Sequence, residues 1–226
     1  EFMNVNCGIM DQYIIATGKK NTAEVLDCSK IEHEYVPLEM GDYRFVVMNT
    51  KKQRKLADSK YNERRSQCEE GLRILNENNA NIQNLCDLSV EEFEKIGSCI
   101  TDDIIYRRVK HCVYENNRVE KAVFALKEKN LSVLGELLYQ SHDSLKNDYE
   151  VTGIELDTLV NVASKVEGCI GARMTGAGFG GCAIAIVHKD SIDSFIEKVQ
   201  NEYKKVVGYE GGFFACNSGD GVHEIK

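Results

Sequence analysis

The sequence predicts an α+β fold, with helices packed on one face of a mainly antiparallel sheet. Three observations predict it. Short runs rich in Val, Tyr and Phe occupy 23–28, 34–38 and 43–49, separated by turn residues. The middle of the chain carries apolar residues at helical spacing, as in Leu134, Leu137, Leu138 and Leu145. From Ile170 onward the chain returns to short β-branched runs around a cluster of glycines.

The 226 residues suffice for one large domain or one and a half ordinary ones. An apolar share of 42% supports a packed core, and 28% charge without long polar tracts argues against disorder. A net charge of −8 leaves no basic footprint for nucleic acid. No apolar run is long enough to span a membrane, and nothing reads as a secretory leader. The nine cysteines (7, 28, 68, 86, 99, 112, 169, 182 and 216) include no Cys-x-x-Cys pair. Odd in number and scattered, they fit reduced thiols better than a disulfide framework. The five histidines show no ligand spacing, so no metal site is expected. These features together predict a soluble, cytoplasmic protein. The chain lacks Met at position 1 and enters a predicted helix at once, which predicts truncation inside a domain.

Taken in order, Asn6 is the predicted N-cap of a helix over 7–17, with Ile9, Tyr13, Ile14 and Ala16 apolar and Gly18 stopping it. After the three strands, Tyr61, Cys68, Leu72 and Leu75 share a face of a helix over 58–77, and 78–84 is the loop candidate. A long helix spans 101–129, with a break at Asn116–Asn117 left open. A third helix bears the Leu134–Leu145 stripe, and Leu156, Leu159, Val160 and Ala163 begin a fourth. Strands at 170–175 and 182–187 flank the glycines. An amphipathic helix marked by Ile192, Phe195, Val199 and Tyr203 precedes final strands at 211–216 and 222–225.

Three stretches could carry chemistry. Thr175 to Gly181 reads TGAGFGG and satisfies G-x-G-x-x-G through Gly176, Gly178 and Gly181. A dinucleotide fingerprint needs a helix after it, whereas Cys182–Val187 is strand-like. Four glycines in seven residues exceed what a hairpin turn needs, so a loop close to a ligand or to a neighbouring active loop is favoured. The second stretch is NCGIMDQ, Asn6 to Gln12. Asp11 there is either a carboxylate stabilising a helix start or a general base aimed at a substrate hydroxyl. The third, SKYNERRSQCEE from Ser59 to Glu70, is either a charged helix face or a site wall. In the first case Glu63, Arg64, Arg65, Glu69 and Glu70 make ordinary i,i+4 pairs and Tyr61 is a half-buried aromatic.

In this order, EFMNVNCGIMDQ (Glu1–Gln12), VVMNTKKQRKLADSKYNERRSQCEE (Val46–Glu70) and GARMTGAGFGGCAIAIV (Gly171–Val187) resemble galactokinases. These belong to the superfamily that also holds homoserine, mevalonate and phosphomevalonate kinases. The glycine motif marks only the superfamily; CGIMDQ together with SKYNERR points to galactokinase within it. The family's GRVNLIGEH-type sugar segment and GLSSSA-type phosphate loop are not in these residues, which implies truncation and a piece that does not bind ATP normally.

The resemblance implies ATP-dependent phosphorylation of the 1-hydroxyl of galactose, with ATP and Mg²⁺ in the intact parent and none bound to this piece. It implies galactose and ATP as partners, with no nucleic acid and no membrane. Residue by residue, Asp11 matches the aspartate that activates or positions that hydroxyl, Gly8 a backbone contact to the sugar and Tyr61 a side-chain contact. Arg54 falls where the family often has a basic residue near the aspartate, although Gln53 departs from the pattern there. Gly176, Gly178, Gly180 and Gly181 would back the active site. Residues 1–50 would end an N-terminal kinase domain, and 51–226 would form a ferredoxin-like C-terminal one. Two readings stay open beside it: a galactokinase-like sugar sensor controlling transcription, and another sugar kinase of the superfamily.

Overall fold

The computed structural model describes residues 8–52 and 57–224. Along them run α1 (Met10–Thr17), β1 (Thr22–Asp27), β2 (Glu32–Pro37), β3 (Tyr43–Asn49), α2 (Ala57–Glu77), α3 (Val90–Ile96) and α4 (Asp103–Lys127). They continue with α5 (Leu131–Asn147), α6 (Ile154–Ala163), β4 (Cys169–Thr175), β5 (Cys182–His188), α7 (Ile192–Val207) and β6 (Gly212–Cys216). The class is the one predicted, α+β with helices on antiparallel sheets.

β1 and β2 form a hairpin, Thr22 opposite Pro37 through Asp27 opposite Glu32. The larger sheet has the order β4-β5-β3-β6, and every neighbouring pair is antiparallel. Helices α2 to α6 connect β3 to β4 and α7 connects β5 to β6, which is the split β-α-β arrangement of ferredoxin-like sheets. A division at residue 50 passes between β3 and the rest of the sheet in which it is an inner strand.

Strand periodicity explains the main core. Val46 and Met48 alternate inward from β3 and are fully buried. Ala183 and Ala185 on β5 are small enough for helices to lie close above them. α7 contributes Phe195, Val199 and Tyr203 at four-residue spacing, and α6 contributes Leu156, Leu159, Val160 and Ala163. Each such large apolar side chain contributes about 1.5–3 kcal/mol on burial. A second core joins Leu75 of α2, Phe93 of α3, and Val109 and Val113 of α4; a third packs Val36 and Leu38 against Leu126.

Three elements differ from expectation, and one point left open is decided by packing. α1 begins at Met10, with Ile9 as N-cap and no side-chain cap bond; Asn6 and Cys7 lie outside the described residues. α4 is unbroken at Asn116–Asn117. Its buried Val109, Val113, Ala125 and Leu126 hold it between neighbours, which outweighs a propensity deficit of about 0.7 kcal/mol per Asn. α3 was not expected, yet Ser89 and Glu92 form a capping box at its start and Phe93 anchors it. The strand expected at 222–225 is absent over its described residues. The Gly221 and Val222 amides instead donate to the Gly18 and Ile15 carbonyls at the end of α1, at 2.8 and 2.7 Å.

Where α5 crosses β4, backbone meets backbone. A Cβ on Gly135 would stand 2.0 Å from the Ile170 carbonyl oxygen, and one on Gly171 2.4 Å from Gly135 Cα. Gly171→Ala is therefore expected to cost about 1–3 kcal/mol of stability through overpacking. The measurement is a lower urea midpoint at unchanged m-value; an unmoved midpoint would mean the two backbones do not meet here.

Candidate active site around the glycine hairpin

The glycine cluster joins β4 to β5, closing the ladder after Thr175 opposite Cys182. Its backbone is left-handed at Gly176 (φ +78°), Gly178 (+81°), Phe179 (+58°), Gly180 (+125°) and Gly181 (+81°). That run needs glycine at most of its positions. Space adds a second requirement at two of them. A Cβ on Gly178 would lie 2.2 Å from the Val151 carbonyl oxygen, and one on Gly180 would press the Lys52 side chain at 3.2 Å. Nothing stands within 4 Å of a Cβ on Gly176, which faces open space.

Two flanks hold the loop. On one side the Phe179 amide donates to the Val151 carbonyl at 2.7 Å. On the other, the amide and the hydroxyl of Thr50 both donate to the Gly181 carbonyl at 2.8 Å. Thr50 is itself buried, and its carbonyl accepts from the Tyr203 hydroxyl at 2.8 Å. Lys52 then reaches Glu155 in the first turn of α6 at 2.8 Å, tying the strap after β3 to that helix. Lys60 of α2 lies over the Phe179 ring, 5.6 Å from its centroid.

The Val151 flank is set by two arginines. Arg64 of α2 donates to the Tyr149 carbonyl at 2.7 Å and to the Glu150 carbonyl at 3.2 Å. Arg108 of α4 donates to the Asp148 carbonyl at 2.6 Å, to Gln67 at 2.9 Å and to the Glu150 carboxylate. Glu150 sits at φ +55°, a left-handed turn that these contacts stabilise. The guanidinium groups of Arg108 and Arg107 hold its carboxyl below the usual range. Arg65 does make the expected i,i+4 pair, with Glu69 at 2.8 Å. Arg64 does not belong to that exposed face: it is buried at 8% exposure and grips another segment. The signal was present in the spacing of 64, 68, 71 and 75, which marks a buried helix face.

Tyr61 is half-buried one turn before Arg64. On the same helix, Arg64 is the side chain that reaches the segment holding the glycine loop. Asp11 lies exposed in the first turn of α1, and Gly8 lies exposed just before that helix. α1 rests on the hairpin, through Tyr13 to His33 at 2.8 Å and Thr17 to Glu24 at 2.8 Å. No hydrogen bond, ion pair or ring contact among the described residues joins α1 to the glycine loop. Arg54 lies outside the described residues. Composition and motif reading missed Thr50, Lys52, Arg64, Arg108 and Val151.

Residues 122–205 match the family "GHMP kinases C terminal". The chain is similar along its whole length to galactokinases. It is 51% identical over 225 residues to the galactokinase of Clostridium tetani (strain Massachusetts / E88), and 54% identical over 225 residues to that of Clostridium beijerinckii (strain ATCC 51743 / NCIMB 8052). All of this chain is covered in both matches, against 57% and 58% of the relatives. The chain therefore spans somewhat more than half the length of these curated relatives. A crystal structure of Lactococcus lactis galactokinase complexed with galactose superposes with a TM-score of 0.93 at 48% identity. That match covers 97% of this chain and 56% of the other.

Arg64→Met tests the clamp. It keeps the aliphatic stem but leaves the Tyr149 and Glu150 carbonyls without donors, which is expected to cost about 1–3 kcal/mol. The chemical-denaturation midpoint should fall, with faster amide exchange at Phe179. Unchanged exchange at Phe179 would detach Arg64 from the glycine loop.

Proposed function

We propose that this chain works as part of a galactokinase, which transfers the γ-phosphoryl group of ATP to the 1-hydroxyl of galactose. The observation that carries the reading is identity of about half the residues to galactokinases along the whole chain. The fit to the galactose-bound Lactococcus lactis enzyme supports it. Eight free cysteines among the described residues suit a reducing, cytoplasmic setting.

Asp11 is the proposed acceptor-activating group. It stands in the first turn of α1, exposed to an incoming substrate. Its carboxylate orients the sugar hydroxyl and takes its proton as the sugar oxygen bonds to phosphorus and the bond to the ADP oxygen breaks. Positioning and charge, rather than covalent chemistry, supply most of the rate in such transfers. Gly8 lets the sugar approach the backbone, Tyr61 forms part of its wall, and Arg54 places a positive charge near the aspartate. Gly176, Gly178, Gly180 and Gly181 back the site, with Gly176 presenting open backbone.

The described residues contain no cluster of three His, Cys, Asp or Glu side chains able to hold a metal. The Phe179 amide is already committed to Val151. In the whole protein, ATP and Mg²⁺ are the proposed cofactors, the ion needing only one or two carboxylates beside the ATP phosphates.

The 226-residue chain assayed alone should show no coupled transfer from ATP to galactose, because its sequence has no GLSSSA-type loop whose amides would hold the phosphates. Turnover above background would show that the phosphate site is built from these residues after all.

Substitutions in the whole protein separate the proposed roles. Asp11→Asn should lower kcat by about 10²–10⁴-fold with galactose binding largely kept; a loss under about threefold would leave Asp11 only a helix-start role. Tyr61→Phe should weaken galactose binding by about 0.5–1.5 kcal/mol at nearly unchanged melting temperature. Isothermal titration that finds equal affinity would remove Tyr61 from the sugar wall.

A further inference from the structure

Two thiols meet where α2 packs on α4. Cys68 Sγ lies 3.7 Å from Cys112 Sγ and 3.6 Å from the Tyr149 hydroxyl. Gly71 is the reason the helices come so near, since a Cβ there would stand 2.2 Å from Val109 Cγ2. From 71 beside 109 to 68 beside 112 the two chains run in opposite directions, so the cysteines sit one turn from the closest approach. Both residues are half-buried rather than sealed in the core. A disulfide needs the sulfurs at about 2.05 Å, a further closure of about 1.7 Å that side-chain rotation supplies between helices already this close.

We propose that Cys68 and Cys112 form a reversible oxidation site, at which a hydroperoxide converts the thiol pair to a disulfide joining α2 to α4. The Cys68 thiolate attacks the peroxide O–O bond, takes one oxygen as a sulfenic acid and releases hydroxide. The Cys112 thiol then bonds to Cys68 sulfur, and that oxygen leaves as water. The two thiols lose two electrons and two protons, and hydrogen peroxide becomes two waters. The order of events follows from the surroundings. The hydrogen bond with Cys112, helped by Tyr149 and by the charges of Arg108 and Arg64, lowers the Cys68 thiol against the upward push of burial. The same bond, with burial, raises Cys112. Cys68 is thus the attacking sulfur and Cys112 the resolving one. This chemistry needs neither sugar nor ATP. Its product would pin the helix that carries Tyr61 and Arg64.

The test treats the intact protein carrying this chain with hydrogen peroxide, blocks remaining thiols and maps peptides without reduction. The expected result is a peptide pair linked through Cys68 and Cys112, lighter by two hydrogens and lost on treatment with dithiothreitol. In C112A, where no partner can close the bond, a dimedone adduct should accumulate on Cys68 several-fold above the parent. Disulfides distributed among the other cysteines, or Cys68 carried to sulfinic acid with Cys112 still free, would overturn the proposal. The mapping of the unmutated protein decides this even where C112A fails to fold.

Discussion

Seven paired residues of β3 and β5, from Tyr43 opposite His188 to Asn49 opposite Cys182, set the geometry on which the candidate site depends. A slip of one residue would turn Val46 and Met48 out of the core, so burial holds the register firmly. Once it is held, the next rung brings Thr50 to Gly181, where the amide and the hydroxyl both bond the same carbonyl. The glycine hairpin is thus the continuation of a ladder whose position hydrophobic packing decides. β6 pairs with the other side of β3, making this strand an inner one.

The opposite flank is held by charge instead of apolar area. Arg108 is 1% exposed, and Arg64 is nearly as buried. A buried guanidinium is costly unless its donors are satisfied, and the carbonyls of a turn without regular structure are costly for the same reason. Residues 148–150 and the two arginines resolve both liabilities at once. The arrangement couples α2 and α4 to the glycine loop through Val151. It also makes the α2–α4 contact a place where small changes count, since Gly71 already leaves no room for a methyl group.

Much of the fold was legible because its signals are local. The strands at 43–49 and 182–187, the helix over 58–77 and the helix marked by Ile192, Phe195, Val199 and Tyr203 follow from alternation and helical spacing, and the structure has an element at each. Ser89 and Glu92 show a signal that was present but passed over, a capping box before a single apolar anchor. Of the candidate site, the glycines and the Tyr61–Arg65 stretch stood out by composition, and the former occupy a clamped hairpin. Arg64 was legible as a charged residue but not as a buried one, because the partners that bury it lie 85 and 86 residues away.

By itself the sequence determined most of the elements, the need for positive φ in the loop, the net negative charge and the family resemblance. Each depends on residue type and short spacing alone. Only the tertiary structure decided that β3 is an inner strand of the sheet beyond residue 50, that Gly178 and Gly180 yield space to Val151 and Lys52, and that Cys68 meets Cys112. Those outcomes depend on which distant segments share a core. Burial of apolar surface is non-directional, so its choice of partners leaves no local trace in the chain.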